Sequence, residues 1–227
     1  MSNANYVKVI YDLKEIPLTN YPSVLIRHIV SKYRIRKNSC ILDLGCGRGE
    51  FLNQFIHHGM EGHGIDFSDF AIKYCPEAKI NVMDIEKENI PYPDNTFDVV
   101  FSKSFVEHFY YPEKIFKEAY RVLKPGGTII TLTPEWQYIY KSFYVDFTHR
   151  TPFTNTSLKN IQVMSGFKDV KVESFKQLPI LFKNSIFSKI FGFFSFLTRI
   201  FVPEKLRLKN KWIRFSKEVM LLSVSRK

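Results

Sequence analysis

The sequence predicts an α/β fold: a doubly wound sheet of about seven strands, mostly parallel, with an antiparallel last strand. Two observations carry this. Short apolar, β-branched runs alternate with amphipathic stretches at a spacing that implies parallel strands joined by right-handed helical crossovers. The first run, Cys40–Leu44, ends in Asp43-x-Gly45-x-Gly47-x-Gly49, a glycine-rich turn leading straight into a helix. Such a turn at the carboxyl end of a parallel strand is where open α/β sheets hold nucleotide-like ligands. Its spacing is neither the dinucleotide G-x-G-x-x-G nor the phosphate-binding loop that ends in Lys-Ser/Thr.

Ahead of the sheet, residues 21–33 place Leu25, Ile29 and Tyr33 on one helical stripe, with Pro22 in the first turn, as a cover for the cleft edge. Helices are expected at 50–57, 68–74 and 112–123, the second capped by Ser68 and stopped by Pro76. The second strand, 62–66, ends at Asp66, and the third, 80–85, ends at another acid, Asp84. A fourth strand spans 96–102, and the turn Lys124-Pro-Gly-Gly127 leads into a fifth. Thr154 or Thr156 caps a helix reaching Met164, with Gly166 just past its end. Residues 168–175 alternate as a sixth strand, and 219–224 form the seventh. The 227 residues then read as one domain: helical cover 1–37, ligand-binding core 38–177, insertion 178–216 and last strand 217–227.

Five segments share one pattern: DLGCGRGE at 43–50, GID at 64–66, MDIE at 83–86, FDVVFSKSFVEHF at 97–109 and RVLKPGG at 121–127. In this order and spacing they resemble the class I S-adenosylmethionine-dependent methyltransferases, type 11/23-like, over roughly 38–175 plus the last strand. The resemblance implies a Rossmann-like sheet, S-adenosylmethionine as methyl donor and S-adenosylhomocysteine as product. It also implies roles. Gly45, Cys46 and Gly47 offer backbone contacts to the methionine part, and Asp43 contacts its ammonium or orders the turn. Asp66 holds the ribose hydroxyls and Phe67 lies on the adenine face. Asp84 accepts from the adenine amino group while the Ile85 amide donates to the ring. Ser102 lies near the methionine carboxylate or amine.

Methyl transfer is an in-line displacement on an already activated sulfonium, so positioning and removal of an acceptor proton are what remain to be supplied. Two bases are candidates. Glu107-His108 follows the fourth strand, where the family often carries this pair. His149 lies in Asp146-x-Thr148-His149-x-x-Pro152-Phe153, with Asp146 placed to orient it. This segment is similar to one in methyltransferases of bacterial surface-polysaccharide and lipid-linked sugar pathways, implying O-methylation of a glycan or lipid-linked sugar. Ser-Lys-Ser-Phe at the end of the fourth strand replaces Asn-Pro-Pro-Tyr, which disfavours amide and exocyclic-amine acceptors. His57, His58 and His63 lack metal-ligand spacing and read as surface or turn residues, so no metal is expected.

Three cysteines, Cys40, Cys46 and Cys75, show no CxxC spacing, which argues for a reducing compartment. The start Met1-Ser-Asn-Ala-Asn lacks a basic stretch followed by an apolar core, so a cytoplasmic location is expected, with the inner face of the membrane as its alternative form. Of the net charge of +11, residues 178–227 hold +9, with eleven Lys and Arg against Glu204 and Glu218. Eight of the 22 phenylalanines also fall after residue 177. Read as a helix, Ser185, Ser188, Gly192, Ser195 and Arg199 form a narrow polar stripe, with Ile186, Phe187, Ile190, Phe194, Leu197 and Phe201 largely opposite. Lys183, Lys189 and Arg199 keep the uncharged run below the ~18–20 residues of a membrane span. The segment therefore reads either as a peripheral membrane contact through 180–214 or as a lid over the active site. A second enzyme reading is methylation of a lipophilic quinone precursor, with the insertion lining the acceptor tunnel. An RNA methyltransferase is disfavoured, and no nucleic-acid partner is expected, because the Phe clusters are too apolar and contiguous for a stacking platform.

Overall fold

The computed structural model describes residues 18–182, 186–203, 206 and 210–227, the side chains of 187 and 211 excepted. Expectations resting on 1–17, Lys183, Ser185, Lys205, Arg207 and Lys209 lie outside the described residues.

One sheet of seven strands runs in the order β3-β2-β1-β4-β5-β7-β6. Its strands are β1 Cys40–Leu44, β2 Glu61–Asp66, β3 Lys79–Val82, β4 Phe97–Lys103, β5 Leu123–Pro134, β6 Lys168–Lys176 and β7 Val219–Arg226. Pairing is parallel from β3 through β5, and β7 is antiparallel to both of its neighbours. The Rossmann-like architecture is as expected. β1 and β4 are central and apolar on both faces, the composition of a strand covered on two sides.

The helices are α1 Tyr21–Tyr33, α2 Glu50–His57, α3 Phe70–Tyr74, α4 Pro112–Val122, α5 Trp136–Ile139, α6 Asn155–Met164, α7 Ile186–Phe201 and α8 Lys211–Lys217. On one face, Leu42, Leu44, Val100 and Ile129 pack with Ile115, Phe116 and Ala119 of α4 and Leu158 of α6. On the other, Ile41, Val99, Phe101 and Ile130 meet Leu25, Ile26 and Ile29 of α1 and Phe55 of α2. Thr154 is the cap of α6 in a reciprocal box with Ser157, and Gly166 beyond the helix has φ +100°.

Two local expectations fail for the same reason, competition from side-chain hydrogen bonds. β3 stops at Val82, short of Asp84, because Asp84 turns the chain: its Oδ1 accepts from Glu86 N at 3.1 Å and its carbonyl from Lys87 and Glu88. Ser68 does not cap α3, which starts at Phe70 after Asp69. The Ser68 hydroxyl is drawn instead to Asp66 at 2.7 Å.

Candidate active site

The glycine turn closes β1 against β2. Gly45 N and Cys46 N both donate to Ile65 O, at 2.8 and 3.1 Å, and Gly47 N donates to Asp66 Oδ2 at 2.8 Å. With these amides engaged, the groups left to meet a ligand are the Gly45 and Gly47 carbonyls, which receive none of the turn's backbone bonds. Carbonyls suit an ammonium. Gly45 has φ +73°, and a Cβ there would lie 2.2 Å from the Phe105 ring, so no other residue fits.

Asp66 is buried, and Oδ1 accepts from Ser68 N at 2.9 Å and from the Ser68 hydroxyl. Its carboxylate therefore ties the glycine turn to β2, a task the sequence reading did not foresee. Counting two acceptor positions per oxygen leaves one open, on Oδ2. Holding two ribose hydroxyls requires the Ser68 hydroxyl to swing aside.

Asp43 is buried beside this turn, and burial, followed by the Asp66 charge, pushes its carboxyl well above the ordinary range, with Lys103 opposing. Cys46 is a buried thiol raised by burial and inert as a nucleophile. Phe67 is 38% exposed, open to a ring stacking on it. Asp84 is held below its ordinary value by Lys87 and sits past β3, while the Ile85 side chain is buried. Registers Leu44↔Ile65, Leu44↔Ser102 and Asp66↔Val82 bring Asp43, Gly45, Cys46, Gly47, Asp66, Phe67, Asp84, Ile85 and Ser102 to one edge of the sheet. Ser102 Oγ is fully buried without a hydrogen-bond partner among the described residues. Lys103, which sequence reasoning passed over, has its ammonium 5.2 Å from the Phe51 ring centre, and burial lowers its pKa.

The segment 102–109 links this edge to a second cluster. Phe105 covers Gly45, and one short turn later Glu107 and His108 meet His149, with one ligand-type atom from each of the three within 4.8 Å of the others. Glu107 is fully buried. Oε2 accepts from the Thr133 hydroxyl at 2.9 Å, while Oε1 has no partner among the described residues, and burial raises its pKa. The backbone carbonyl of Glu107 accepts from Arg150 and Thr151, so the 146–151 loop is hung directly on this turn.

Asp146 does not orient His149 as expected. The closest approach of Asp146 Oδ2 to His149 Nε2 is 3.9 Å, and His149 Nδ1 donates to Phe143 O at 2.7 Å. Asp146 Oδ1 accepts from the amide and hydroxyl of Thr148, at 3.0 and 2.6 Å, and Thr148 Oγ1 lies 2.9 Å from His108 Nδ1. The carboxylate thus acts on His108 through Thr148. Because the Thr148 proton goes to Asp146, its oxygen accepts from His108 Nδ1–H, and the lone pair of neutral His108 is on Nε2. Burial lowers the His108 pKa, opposed by Asp146.

His63 is corrected outright. It is buried, at 3.0 Å from the Tyr92 hydroxyl and 3.2 Å from Glu61, with Cys40 close by, and is no surface residue. A separate cavity of about 650 Å³ opens elsewhere, lined by His28, Lys32, Glu173 and the inner side of α7, away from the glycine turn.

The fold and the glycine turn together define the class I methyltransferase architecture. Residues 42–131 match the family described as a methyltransferase domain. It is 25% identical to a SAM-dependent methyltransferase of Archaeoglobus fulgidus, with a TM-score of 0.66 over 96% of this chain and 99% of that one. A protein of Methanocaldococcus jannaschii is 28% identical over 82% of this chain and 80% of its own. A demethylmenaquinone methyltransferase of Listeria welshimeri is 28% identical over 49% of this chain, and the match spans about half, 54%, of that protein's length.

Proposed function

We propose that the chain transfers the methyl group of S-adenosylmethionine to a hydroxyl of a glycan or lipid-linked sugar, with His108 as the general base. The observation that carries it is the Asp146–Thr148–His108 relay, one short turn from the phenylalanine that covers the donor turn. Ser102, Asp66 and the Gly45 and Gly47 carbonyls hold the donor, and segment 102–109 fixes the distance between donor and base. The acceptor O–H gives its proton to His108 Nε2, the oxygen attacks the methyl carbon, and the C–S bond breaks to leave the neutral thioether. His149, tied to Phe143 O, stands beside His108 with the two ring centres 5.0 Å apart.

His108→Ala should lower turnover by about 10²–10⁴ while leaving calorimetric binding of S-adenosylhomocysteine unchanged. Turnover of the parent should rise with pH through a value below the ordinary histidine 6.5, since only the neutral ring accepts a proton. Incubation of bacterial glycan and lipid extracts with methyl-tritiated donor identifies the acceptor, and label on a sugar oxygen is the expected result. The match to a demethylmenaquinone methyltransferase favours a second reading, a lipophilic ring acceptor, and label in a quinone precursor would select it.

A further inference from the structure

Helix α7 is inside out. Its exposed residues, Ile186, Ile190, Phe193, Phe194, Ile200 and Phe201, recur at helical spacing on one side, and Phe201 is 75% exposed. The polar stripe faces the body of the protein instead. Ser195 is fully buried, Ser188 and Gly192 border the cavity beneath the helix, and Gly192 approaches Leu181. Phe191 also points inward, its ring 5.9 Å from Trp212 of α8, whose Nε1 donates to Thr198 at 3.1 Å. A core-seeking helix would show the reverse arrangement, and a patch of this size needs an occupant.

We propose that this face of α7 lies on an anionic lipid bilayer. Charge selects that occupant. Residues 203–211 carry Lys205, Arg207, Lys209 and Lys211 against Glu204 alone, and α8, which continues from this segment, packs on α7; within α8 Arg214 is paired with Glu218 and Lys217 is buried on Arg199 O. Anionic headgroups complement that charge, whereas a second copy of the chain brings the same positive charge to the seam. Exposed rings also occur on the segment that the inner side of α7 touches. The Arg199 guanidinium sits 4.9 Å over the ring of Tyr138, and Tyr138, Tyr140, Tyr144 and Phe147 are exposed on the segment that leads to His149. Amphipathic rings of this kind suit the headgroup level of a bilayer. Among the described residues no helix is long and apolar enough to cross a membrane, so α7 lies in the interface. Membrane docking stands independently of methyl transfer.

The test is flotation of the full chain with vesicles of phosphatidylcholine alone and of phosphatidylcholine with phosphatidylglycerol, at low and high salt. The expected result is co-flotation with the anionic vesicles, weakened but not abolished by salt. Changing Phe193, Phe194 and Phe201 to Ser should reduce partitioning by about tenfold per residue. Binding of S-adenosylhomocysteine as tight as the parent's certifies that variant as folded. Changing Lys205, Arg207 and Lys209 to Glu, which leaves the helix sequence intact, should remove the preference for anionic vesicles. An intact chain that stays in the soluble fraction with both vesicle types overturns the proposal. If that chain also elutes as a dimer which the triple-serine variant converts to monomer, the face is a subunit interface.

Discussion

Asp66→Ala removes the acceptor for three donors at once: Gly47 N, Ser68 N and the Ser68 hydroxyl. Hydrogen bonds to a charged group contribute about 1.5–3 kcal/mol each. Three bonds to one carboxylate are not independent, so a loss of roughly 4 kcal/mol is the reasonable figure. For a domain of this size each kcal/mol moves the melting temperature by about 2–4 °C, which gives a fall of roughly 8–16 °C. Two assays separate the turn from the ligand. Thermal melting without donor reports the turn, and calorimetric titration of S-adenosylhomocysteine below the variant's melting point reports the ribose contact. Ser68→Ala is the control, since it removes one bond and opens a second acceptor position on Oδ1. It should melt only slightly lower and bind the donor product at least as tightly as the parent. Melting of Asp66→Ala within about 2 °C of the parent would refute the claim that this carboxylate holds the glycine turn.

Gly45→Ala forces a side chain into left-handed backbone, at about 1–2 kcal/mol, and drives its Cβ into Phe105. Donor-product affinity should fall at least about tenfold, and adding Phe105→Ala should restore only the part owed to the clash, a partition that a double-mutant cycle reads. Burial raises the Glu107 pKa above its ordinary 4.5, so its contribution is fully present below that value and is lost as pH rises through the folded-state value. Glu107→Gln carries no such group. Its urea midpoint relative to the parent should therefore improve as pH rises through that window, and a midpoint that falls relative to the parent's would contradict the sign. Thr154→Ala breaks the reciprocal cap of α6 and should cost about 1 kcal/mol in urea unfolding, with methyl transfer unaffected.

What the sequence determined by itself was local. Most strand and helix periods, the left-handed glycines at 45, 47 and 49 and a threonine cap at 154 or 156, which the structure resolves as Thr154, follow from backbone geometry within a few residues. The alternation of these elements was enough to imply a parallel sheet with its glycine turn at the carboxyl edge. Tertiary structure decided what depends on partners far apart in the chain. Asp146 is three residues from His149, yet it acts on His108 forty residues from the threonine that bridges them, because the 146–151 loop is pinned to the carbonyl of Glu107. His63 looked like a turn residue until Tyr92 and Glu61 closed over it. In α7, periodicity shows a polar and an apolar face but carries no sign for which of them meets the body. Only the packing of Phe191 and Ser195 inward turns Phe193, Phe194 and Phe201 out, since the side a helix presents is fixed by its neighbours and not by its own composition.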